Sequence, residues 1–129
     1  MFNPSSIVAN AFGNHLAETY QQYFAGAKPN YATIIGGAAQ LVLERLGNSD
    51  ALYHNAEHTM MVTLVGQQIM LGRLVTEPIK SEDWAHYILA LLMHDIGYAR
   101  GICAGDTDKE AVINHNLRSW SFCLSLIPC

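Results

Sequence analysis

The sequence predicts an all-α protein, a bundle of about five helices in a single domain spanning residues 1–129, and three observations support this. Apolar residues recur at three- and four-residue steps in successive stretches, the period of a helix with one buried face. No stretch alternates apolar and polar residues with period two, as a half-buried strand would. Pro4, Pro29 and Pro78 stand at the joints between the periodic stretches, where a missing N–H does least harm.

The first helix begins at Asn3-Pro4-Ser5. It carries Ile7, Ala11, Leu16, Tyr20, Tyr23 and Phe24 as its apolar positions and ends near Gly26 and Pro29. The second runs from Tyr31 to Leu46 through Ile34, Ile35, Ala38, Leu41 and Val42, with Gly47 as the residue that closes it. After a turn over 48–55, Asn55 can cap a third helix from Ala56 to Leu74, with Met60, Met61, Leu64, Val65 and Ile69 on its apolar positions. Ser81 is a suitable cap for the fourth, and Glu82 and Asp83 in its first turn suit the positive end of the helix dipole. That helix is expected to continue through Trp84, Ile88, Leu91 and Leu92 to Ile96, and Gly97 permits the exit. A polar loop with Gly101, Gly105 and Asp106 precedes a last helix over Asp108 to Leu126.

Composition narrows the function classes. Half of the 129 residues are apolar and 14% are charged, which fits a packed domain and argues against global disorder. A net charge of −4, with seven Lys and Arg that form no cluster, offers no footprint for a nucleic-acid backbone, so a nucleic-acid polymer is not expected as partner. Small phosphorylated molecules stay open as substrates, because a bound cation alters the local field more than net charge does. No apolar run reaches the ~20 residues that cross a bilayer. The first eleven residues lack a secretion signal, so the cytoplasm is the expected location. Cys103, Cys123 and Cys129 share no CxxC spacing and indicate neither a disulfide framework nor a zinc knuckle.

The residues that carry chemistry fall at two loci, Tyr53-His54-Asn55-Ala56-Glu57-His58 and His94-Asp95-Ile96-Gly97. Asp95 sits near the C-terminus of a strongly apolar helix, where both its surroundings and the helix dipole disfavour a carboxylate, so a positive partner is called for. A divalent cation held by imidazoles and a carboxylate supplies one. A single buried histidine is more often a hydrogen-bonded core residue than a ligand. Three histidines and an aspartate at two loci on consecutive helices shift that balance towards a metal.

In these residues the sequence resembles the HD-domain metal-dependent phosphohydrolases, whose signature is a His, then a His-Asp doublet, then a distant Asp. The match lies in His58, His94 and Asp95. Tyr53-His54-Asn55 with His58 is also similar to the motif of the cyclic-nucleotide phosphodiesterase branch, in which the first histidine protonates the leaving group. The resemblance covers 49–101. It implies an HD-like bundle of about five core helices and hydrolysis of a phosphate ester of a nucleotide or another small phosphorylated molecule. It also implies one divalent ion (Mn, Mg, Fe, Zn or Ni) on His58, His94 and Asp95. His54 is then the acid, and Asp95 both a ligand and the group that orients the attacking water. Arg100, in the loop after the helix, could clamp a substrate phosphate or be a solvated surface residue, and Glu57 could support an imidazole or simply face water.

The sequence departs from the family at its end. The later helix that carries the final Asp ligand is expected to be missing, as if the C-terminal part were cut short. Asp106, Asp108 or His115 could substitute, or another chain could supply the ligand. The apolar ending Trp120 to Cys129 suggests an interface and a homodimer. The alternative reading is a non-catalytic HD-like interaction or regulatory module with a degenerate metal site. A di-iron oxygenase of HD type needs more ligands than the sequence offers.

Overall fold

The computed structural model describes residues 4–47 and 56–94, and over these the regular structure is all helix, joined by short turns. α1 spans Pro4–Phe24, α2 Pro29–Leu46, α3 Ala56–Thr76 and α4 Ser81–Met93. The all-α class is therefore as the periodicity requires. The fifth predicted helix and the turn at 48–55, with its Asn55 cap, lie outside the described residues.

α1 and α2 form the most extensive pairing. The turn between them is made by Gly26, whose φ of 84° is one that L side chains rarely adopt. The Tyr20 hydroxyl donates to the Lys28 carbonyl at 2.9 Å and ties the end of α1 across that turn. Pro29 then opens α2 two residues before the position expected from periodicity, at a site where its missing N–H has no partner to lose. Midway along, the two helices approach backbone to backbone: a Cβ on Gly13 would lie 2.7 Å from the Gly36 carbonyl oxygen.

The core lies between this pair and α4. Leu16, Ile35, Val42, Leu46, Trp84, Ile88 and Leu92 are fully buried there. Burying side chains of this size contributes about 1.5–3 kcal/mol each before the entropy of ordering is set against it. An aromatic chain links the α1–α2 turn to the start of α4: Tyr20 stacks on Phe24 at 5.4 Å between ring centroids, and Phe24 meets Trp84 at 5.5 Å. Lys28 adds an ion pair to Glu82, 3.5 Å away in the first turn of α4.

Three local expectations change. On α1, Ile7, Ala11 and Tyr23 are exposed, and Ala9 and Phe12 join Leu16 and Tyr20 on the buried face. The two stripes differ only by a small rotation about the axis, and the Gly13 contact with α2 sets which one points inward. At α4, Lys80 rather than Ser81 is the capping residue, and the Ser81 hydroxyl lies 3.3 Å from the Glu82 carboxylate. The largest change is on α3. Its most deeply buried residues are polar or small, Thr59, Thr63, Gly66 and Gln67, with Met60, Met70 and Leu71 partly buried against the core beside them, while Met61, Leu64, Val65 and Ile69 face outward. Gly66 makes this possible, because a Cβ there would overlap the Leu91 side chain, so Leu91 of α4 seats directly on the α3 backbone.

Candidate metal centre

His58 lies in the first turn of α3, and His94 caps the C-terminus of α4. α3 and α4 pack together with these ends adjacent, so residues far apart in sequence meet: the imidazole centroids are 5.7 Å apart, with the rings inclined at 56°. Both side chains are half-buried. Bonds of about 2 Å from ring nitrogen to metal let two imidazoles at this separation share one ion.

One hydrogen bond fixes the chemistry of His94. Its Nδ1 is 2.7 Å from the Leu91 carbonyl oxygen. A carbonyl only accepts, so Nδ1 carries the proton, and in the neutral ring Nε2 holds the lone pair. A ring N–H committed to a backbone carbonyl is the arrangement by which proteins fix the tautomer and orientation of a metal-binding histidine. The two ring nitrogens thus fit a divalent cation as far as the set extends. Among the described residues no three His, Cys, Asp or Glu side chains come together, so the pair stands as two nitrogen donors.

Of the residues named from the sequence, the structure brings His58 and His94 together. His54, Asp95, Arg100, Asp106, Asp108 and His115 lie outside the described residues. Glu57 is exposed beside His58, and the contact that orients an imidazole comes instead from the Leu91 carbonyl.

The sequence reading missed a buried polar seam that begins next to His58. Thr59, Thr63 and Gln67 follow one another at four-residue steps along the inward face of α3. The Thr63 hydroxyl donates to the Thr59 carbonyl at 2.7 Å, and the Gln67 Nε2 is 3.2 Å from His15 Nε2 on α1. Thr59 Oγ1 and Gln67 Oε1 are buried without a hydrogen-bond partner among the described residues. The spacing was the available signal, but it was masked by the larger apolar residues that alternate with it.

A cleft of about 220 Å³ opens beside the first turn of α3, between Pro4, Val8, Leu43 and Met60. Its lining is apolar and does not include the histidines, so it is a neighbour of the site and not the site itself. Among the described residues no helix is long and apolar enough to cross a membrane.

The chain belongs to the Npun_R2479-like family, whose model matches residues 2–122. No curated protein and no solved structure matches it. The family description names no activity.

Proposed function

We propose that this chain is a cytoplasmic metal-dependent phosphohydrolase that cleaves the phosphate ester of a nucleotide or another small phosphorylated molecule. The observation that supports it is the meeting of His58 and His94 at 5.7 Å, with the His94 Nδ1 proton committed to Leu91. Two imidazoles so arranged suit Fe, Ni or Zn, and the Asp95 carboxylate, next in the chain, extends the set to Mn and Mg. When bound, the ion supplies Lewis acidity to the phosphoryl group and activates water.

The chain's own residues then divide the work. His58 and His94 hold the ion through ring nitrogens, and Asp95 adds a carboxylate and orients the attacking water. Water forms the new bond to phosphorus as the ester P–O bond breaks, and His54 gives its proton to the departing oxygen. Arg100 holds the phosphate through paired N–H donors.

The test is metal analysis of the purified full-length chain, followed by assay of nucleotides and phosphate monoesters with Mn, Mg, Ni or Co. Bound metal and metal-dependent phosphate release, both lost in His58→Ala and His94→Ala while helical content is kept, is the expected result. Metal-free protein that chelator leaves unchanged and that releases no phosphate would overturn it. That outcome would favour the non-catalytic module, the reading consistent with only two donors meeting among the described residues.

A further inference from the structure

We draw no further inference here: the strongest candidate, the outward apolar face of α3 formed by Met61, Val65 and Ile69, carries nothing because no observation among the described residues shows what covers it.

Discussion

Replacing Gly13 by Ala tests whether α1 and α2 are held at backbone contact. An added Cβ would lie 2.7 Å from the Gly36 carbonyl oxygen, 3.4 Å from its carbon and 3.5 Å from its Cα. All three neighbours are backbone, so no side chain can swing aside and the helices must part by several tenths of an ångström. Overpacking of this kind costs about 1–3 kcal/mol, against roughly 1 kcal/mol gained from the higher helix propensity of Ala. The net expectation is a loss of about 1 kcal/mol. Gly37, one residue from the contact, has nothing within 4 Å of an added Cβ. Gly37→Ala should therefore keep the propensity gain and stabilise by about 1 kcal/mol. Gly36→Ala, whose Cβ meets the Gly13 oxygen at 3.3 Å, should fall between them. Urea denaturation of the three variants reads the series directly, and a gap of about 2 kcal/mol between Gly13→Ala and Gly37→Ala corresponds to roughly 8 °C in melting temperature. Equal stabilities for these two would refute the close approach and the burial pattern built on it.

Other consequences can be measured independently. Thr59→Val removes a buried hydroxyl that has no partner among the described residues and should raise the urea midpoint by an amount equivalent to about 1 kcal/mol; a lower midpoint would show that the hydroxyl is engaged. The Glu82 carboxyl is held below the ordinary range, first by its own backbone N–H and then, against some desolvation, by Lys28 and Ser81. A folded-state pKa that is lowered contributes stability above the unfolded value and loses it as pH falls through the folded one. Lys28→Ala should therefore raise the Glu82 midpoint, followed by carboxyl chemical shift against pH, and narrow that window; an unmoved midpoint would remove Lys28 as a cause.

The fold was legible in the sequence because helical period and proline placement are local properties. Pro29 and Gly26 marked the α1–α2 turn, and Trp84, Ile88 and Leu92 marked the buried side of α4. Which side of α3 faces inward was not legible. Hydrophobic spacing selected Met61, Val65 and Ile69, whereas the decision rests on the fit of Leu91 over Gly66, a contact between residues far apart in the chain. The histidine pair was legible as two loci, and His58 and His94 do meet. The carbonyl of Leu91 that orients His94 carries no sequence signature, since any residue provides one.

The seating of α4 on Gly66 also makes that glycine a fulcrum. Gly66 lies eight residues from His58, about 12 Å along the axis. The close Leu91 contact there, with Met60, Met70 and Leu71 packed against the core beside it, helps to set the angle of α3. A tilt of roughly 10° would carry His58 about 2 Å from His94, a displacement as long as a metal–nitrogen bond. The distance between the two histidines at one end of the helix thus depends on a residue with no side chain near its middle.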